Sequence, residues 1–131
     1  MSAAKPKGLA GGLTNNGGPE FSVYLRRSVA KSMGYGGAML RRPIVGIAYP
    51  PSGFNNCHRM IPELVEAVSR GVLAGGGLPL VFPTISPGEV FLNPTSMKFR
   101  NLMALDTAEM IREPPMGAAV PNGGCAKPVR R

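Results

Sequence analysis

The sequence predicts an α/β fold built on a small parallel sheet with flanking helices. Two observations carry that expectation. The first is the order strand, helix, strand across residues 43–85, because a parallel pair needs a crossover of that kind. The second is the punctuation: prolines bound the first apolar run and 75-GGG-77 separates the helix from the second run.

The elements follow in order. Residues 21–33 place Phe21, Tyr24, Leu25 and Val29 at helical spacing, and Gly34 to Gly37 end the helix. The run 43-PIVGIAYP-50 is short, β-branched and bounded by prolines, which marks a buried strand. The stretch 51-PSGFNNCH-58 is turn chemistry. Ile61, Leu64, Val65, Val68, Val72 and Leu73 then recur at helical spacing over residues 60–74. A second strand is expected over 78-LPLVFPTI-85, paired parallel to the first.

Beyond it, 86-SPGEVFLNP-94 reads as a loop. Two helices are expected next. One covers 94–104, with Pro94 in its first turn. The other covers 107–113 behind Asp106, where Glu109 completes a capping-box spacing. A third strand is expected over 116-MGAAVPNGGC-125, ending at Cys125, although Pro121 and Asn122 sit poorly in a central strand. There is no internal repeat.

Composition narrows the function classes. The chain has 131 residues and a net charge of +8, which raises nucleic acid as a partner. Its fifteen Lys and Arg are scattered, with no dense basic tract or aromatic platform, so nucleic-acid binding is not expected. No apolar run approaches the roughly 20 residues of a membrane span. Residues 1–20 contain no continuous apolar segment of the kind an export signal needs and read as a flexible leader. A reduced, cytoplasmic setting is therefore expected for the two cysteines, Cys57 and Cys125. Two cysteines cannot complete a zinc site, and His58 stands next to Cys57 rather than at a zinc spacing.

Ligands of open α/β sheets gather beyond the carboxyl ends of the strands. Three loops occupy such places here. They carry Asn55, Asn56, Cys57 and His58, then Ser86, Gly88 and Glu89, then Gly123, Gly124, Cys125 and Lys127. Two thiols, a carboxylate and a lysine thus converge on one sheet edge. Each has a plainer reading: cysteine is often core filler, and loop Glu or tail Lys is usually just solvated.

The motifs RPIVGIA, NNC at the head of a helix, AGGGLPLVFPTIS, PTSMKFRNLMALD followed by EMIR, and GGCAK occur in order between residues 36 and 127. Together they resemble the N-terminal part of the dihydroxy-acid, phosphogluconate and sugar-acid dehydratase family. The Gly88–Glu89 pair resembles the sugar-acid branch. The resemblance implies a partial N-terminal dehydratase domain over residues 21–127, the front portion of a larger two-domain enzyme, with an aberrant tail over 128–131. It implies a hydro-lyase that converts a 2,3-dihydroxy acid, such as an aldonate, to a 2-keto-3-deoxy acid. It also implies a homo-oligomer in full-length form.

Its cofactors would be an iron–sulfur cluster, 2Fe-2S or 4Fe-4S, and a magnesium ion (Mg2+). By the same resemblance, Cys57 and Cys125 match the first two of three cluster cysteines, and Glu89 and Lys127 match magnesium ligands. The departures gather near the end. Ala126 stands where the family has a magnesium-binding Asp, and Pro121, Asn122 and Gly117 replace other usual residues. The third cysteine and the proposed catalytic serine have no counterpart. Two further readings stand beside the aldonate one. One is a dihydroxy-acid dehydratase of branched-chain amino-acid synthesis. The other is a non-catalytic basic fragment of a decayed gene.

Overall fold

The computed structural model describes residues 8–10 and 17–124. Its centre is a three-stranded parallel sheet in the order β2-β1-β3, formed by β1 (Ile44–Tyr49), β2 (Leu78–Pro83) and β3 (Ala118–Val120). Helix α1 (Pro19–Ser32) precedes the sheet, α2 (Ile61–Ala74) joins β1 to β2, and α3 (Met97–Arg112) leads to β3. The expected β1–α2–β2 unit is present, with Ile44 opposite Leu78 and Tyr49 opposite Pro83.

The pleat of β1 explains the two halves of the core. Successive side chains of a strand point to opposite faces. Ile44, three residues from Ile47, packs on one face with Leu78, Leu40, Ala30 of α1 and Leu9. Ile47 packs on the other face against Ile61 and Val65 of α2. Both isoleucines are buried completely or nearly so. Leu9 belongs to the 1–20 stretch expected as a leader, and it joins the first cluster. No helix among the described residues is long and apolar enough to cross a membrane.

Three expectations are corrected. First, the two helices expected over 94–104 and 107–113 are one helix, α3, and it starts at Met97 rather than Pro94. Asp106 lies inside it, so the capping-box spacing is not used. A cap acts only where the preceding residues leave the helix, and here 101–105 remain helical. Second, β3 is three residues long rather than running from 116 to 125. Its pairing with β1 reaches only Ile47 opposite Val120. Pro121 has no N–H to extend the ladder, and Asn122 instead donates its side-chain amide to the carbonyl of Ala48 at 2.9 Å. Third, Cys57 does not sit at the head of α2. It lies in a separate 3-10 turn, Asn56–His58, ahead of it.

The three parallel strands all point their carboxyl ends the same way. The loops that follow them therefore meet at one edge of the sheet, and the site lies there.

Candidate functional site

The loop after β1 is shaped by its own side chains. Asn55 accepts a hydrogen bond from the backbone N–H of Cys57 at 3.2 Å through Oδ1, which opens the 3-10 turn. Cys57 is left exposed, with its thiol 3.5 Å from Asn56 Oδ1. The next residue turns the other way. His58 is only 2% exposed.

His58 ties the loops together. Its Nδ1 lies 3.0 Å from the carbonyl oxygen of Pro50 and 2.5 Å from Oγ of Ser86. A carbonyl oxygen can only accept, so Nδ1 carries the hydrogen and donates it. In the neutral ring Nε2 then presents a lone pair. That atom is buried and finds no partner among the described residues. Buried polar atoms without partners are rare, and each points to something that completes it.

Two glycines allow the loops to close on one another. A Cβ on Gly88 would overlap the carbonyl of Phe54, so the loop after β2 lies directly on the loop after β1. Phe54 and Phe91 meet edge to face across this junction, with centroids 5.5 Å apart. A Cβ on Gly124 would overlap the carbonyl of Cys57 and come within 2.9 Å of Cδ2 of His58. The segment after β3 is thereby seated on the residue pair Cys57–His58.

The result is a cavity of about 350 Å3, lined by Cys57, His58, Ser86, Glu89, Ser96 and Arg100 among others. Of the residues singled out by sequence, Cys57 and Glu89 share this cavity. Cys125 and Lys127 lie outside the described residues, as does Ala126. Among the described residues, no three of His, Cys, Asp and Glu gather closely enough to hold a metal ion. The donor types present suit the implied cofactors: an exposed thiol is a ligand for iron, and a carboxylate is a ligand for magnesium.

The parts played by two residues of the site are not legible in the sequence. His58 stands in the first strand-end loop, but nothing in a lone histidine announces burial. Arg100 reads as one of the scattered cations. Its signal is the spacing Ser96, Arg100, Met103, which puts all three on one face of α3, and all three line the cavity.

Residues 42–129 match the family described as dihydroxy-acid/6-phosphogluconate dehydratase N-terminal. The chain is 42% identical over 86 residues to a 6-deoxy-6-sulfo-D-gluconate dehydratase of Pseudomonas putida, covering 66% of this chain and 15% of that protein. It is 38% identical over 112 residues to an L-arabinonate dehydratase of Rhizobium leguminosarum bv. trifolii, covering 85% of this chain and 19% of that protein. A dihydroxy-acid dehydratase of Clostridium botulinum is 40% identical over 60 residues, which is 46% of this chain and 11% of that protein. The chain therefore spans a fifth or less of the length of these relatives. The matched segment runs from the start of β1 through all three loops of the site, and the chain belongs to the dihydroxy-acid/6-phosphogluconate dehydratase family through its N-terminal region.

Proposed function

We propose that this chain supplies the first part of a dehydratase site that removes water from a sugar acid, turning an aldonate into a 2-keto-3-deoxy acid. The observation that carries this reading is the seating of Gly124 on Cys57, a residue that lines one cavity with Glu89. Consecutive Cα atoms are about 3.8 Å apart, so a glycine in contact with Cys57 supports a pairing of Cys57 with Cys125 at one cluster.

In this reading Cys57 and Cys125 hold an iron–sulfur cluster of the 2Fe-2S or 4Fe-4S type. Glu89 and Lys127 would hold the magnesium ion, with Ala126 offering no donor atom. When bound, the cluster and ion supply Lewis acidity for a departing hydroxyl and for the acid's oxygens. The chain's own residues position and shield. Asn55 holds the turn that presents the Cys57 thiol. His58 fixes the Pro50 and Ser86 loops to each other. Phe54 and Val90 give part of the cavity wall apolar surface.

The aldonate is favoured over a branched-chain dihydroxy acid because the sugar-acid relatives named above are 42% and 38% identical over 66% and 85% of the chain, whereas a dihydroxy-acid dehydratase of Ruminiclostridium cellulolyticum, matching 66% of the chain, is 34% identical. The exposed apolar residues of α3, among them Leu102 and Leu105, would be covered by further polypeptide in a complete enzyme.

Two measurements test the proposal. The purified 131-residue chain, reconstituted anaerobically with iron and sulfide, is expected to form no keto acid from a panel of aldonates or from 2,3-dihydroxy-3-methylbutanoate. A chimera in which residues 42–124 replace the matching segment of the Rhizobium L-arabinonate dehydratase is expected to turn over L-arabinonate and to lose that activity with Cys57→Ser. Turnover by the isolated chain, or a folded chimera that is inert, would count against the proposal.

A further inference from the structure

The geometry points to Arg100 as the residue that anchors the carboxylate of an acid bound in the cavity between the strand-end loops. This rests on the dehydratase reading and deepens it by naming a substrate-binding residue.

Arg100 is half-buried on α3 and lines the same cavity as Cys57 and Glu89. Its guanidinium has no carboxylate partner among the described residues. Among the described residues its side chain donates only to the thioether of Met97, at 3.9 Å, and a thioether is a weak acceptor. Arg70 with Glu66 and Arg112 with Glu109 form ion pairs on exposed surface. A guanidinium carries five N–H donors, and a thioether engages one of them weakly. His58, which also lines the cavity, is nearly fully buried and leaves Nε2 without a partner among the described residues.

The ligand chemistry follows from the groups on the wall. A planar guanidinium offers paired donors that match a carboxylate. Glu89 gives the cavity an acidic side as well, which disfavours a ligand carrying negative charge throughout. A monoanionic acid with its charge at one end and hydroxyls along the rest meets both conditions. The cavity, about 350 Å3, falls in the size range of small-ligand sites.

The test uses the 131-residue chain and two probes that differ only at the anchored end. D-Gluconate carries the carboxylate, and D-sorbitol carries a neutral CH2OH in its place. Binding is read from the arginine Nε–H resonances in proton–nitrogen correlation spectra, with the Arg100 signal identified by its absence in Arg100→Lys. Gluconate is expected to shift that signal and sorbitol is not. Arg100→Gln is expected to weaken gluconate binding about tenfold or more, as loss of a charge-assisted pair does. Arg100→Lys weakens it less, and Lys98→Gln on the same helix leaves it unchanged.

Equal binding of both probes, no gluconate binding at all, or full binding by Arg100→Gln overturns the anchor. Iron uptake is measured on the same samples. Uptake without gluconate binding overturns the anchor and leaves the dehydratase reading standing. Arg100-dependent gluconate binding in a chain that takes up no iron supports the anchor and removes the cluster from that reading.

Discussion

Gly124→Val is expected to drive the segment 121–124 off the loop that follows β1 and so to slow the pairing of Cys57 with Cys125 that the proposed site requires. A Cβ at this position would overlap the backbone carbonyl of Cys57, not the free end of a flexible side chain. The backbone must therefore move. Overpacking of this kind costs about 1–3 kcal/mol, or about five- to 150-fold in the population of the seated state. The readout is disulfide trapping. Under mild oxidation the parent chain is expected to form an intrachain Cys57–Cys125 disulfide, seen as the loss of two hydrogens by mass and of both alkylation sites. Disulfides need Cα atoms about 4.4–6.8 Å apart, so displacement should slow trapping by the same factor. Gly36→Val is the control, because a Cβ there meets nothing within 4 Å. Trapping of the Gly124→Val chain at the parent rate would show that the contact is not what brings the cysteines together.

His58→Ala is the substitution expected to destabilise the fold most. It removes a ring that is 2% exposed and leaves both the Pro50 carbonyl and the Ser86 hydroxyl without that partner. Cavity formation and lost hydrogen bonding together should cost about 2–5 kcal/mol. That is a large part of the 5–15 kcal/mol typical of a whole domain. His58→Asn puts an amide donor close to the position of Nδ1 and should recover about 1 kcal/mol through the bond to Pro50. Urea denaturation of the three chains measures both differences. An alanine variant within about 0.5 kcal/mol of the parent, as for an ordinary surface change, would remove His58 from its place as the tie between loops.

The sequence makes β1, α2 and β2 readable because each signal there is local and unopposed. The 43–50 run is β-branched and ends in prolines, and the apolar positions of 61–73 repeat with one period until three glycines stop them. The misreadings share one cause, which is that a local signal was overruled by its surroundings. Asp106 and Glu109 have the spacing of a helix start, yet the helix already running through 101–105 left no end to cap. The apolar run 118–120 suggested a strand continuing to Cys125, yet Pro121 stopped the ladder and Asn122 took a side-chain bond to Ala48 instead.

Within the site, the meeting of Cys57 with Glu89 was legible from topology, since parallel strands must bring their following loops to one edge. The parts played by His58 and Arg100 were not. Whether a polar side chain turns inward depends on contacts with residues far along the chain: Ser86 is 28 residues from His58. The seating of Gly124 is of the same kind, because a glycine in sequence does not say which carbonyl it lies against.

Iron binding by the parent chain and by Cys57→Ser tests the central claim most directly. Both chains would be reconstituted anaerobically with ferrous iron and sulfide, passed through a desalting column under argon, and assayed for iron, acid-labile sulfide and visible sulfur-to-iron charge-transfer absorption. With two thiolates in place of the family's three, the parent chain is expected to retain a weakly held cluster that bleaches in air. Cys57→Ser is expected to retain neither the iron nor the absorption. Equal iron, sulfide and absorption in the two chains would contradict the assignment of Cys57 as a cluster ligand, and with it the dehydratase site at this edge of the sheet.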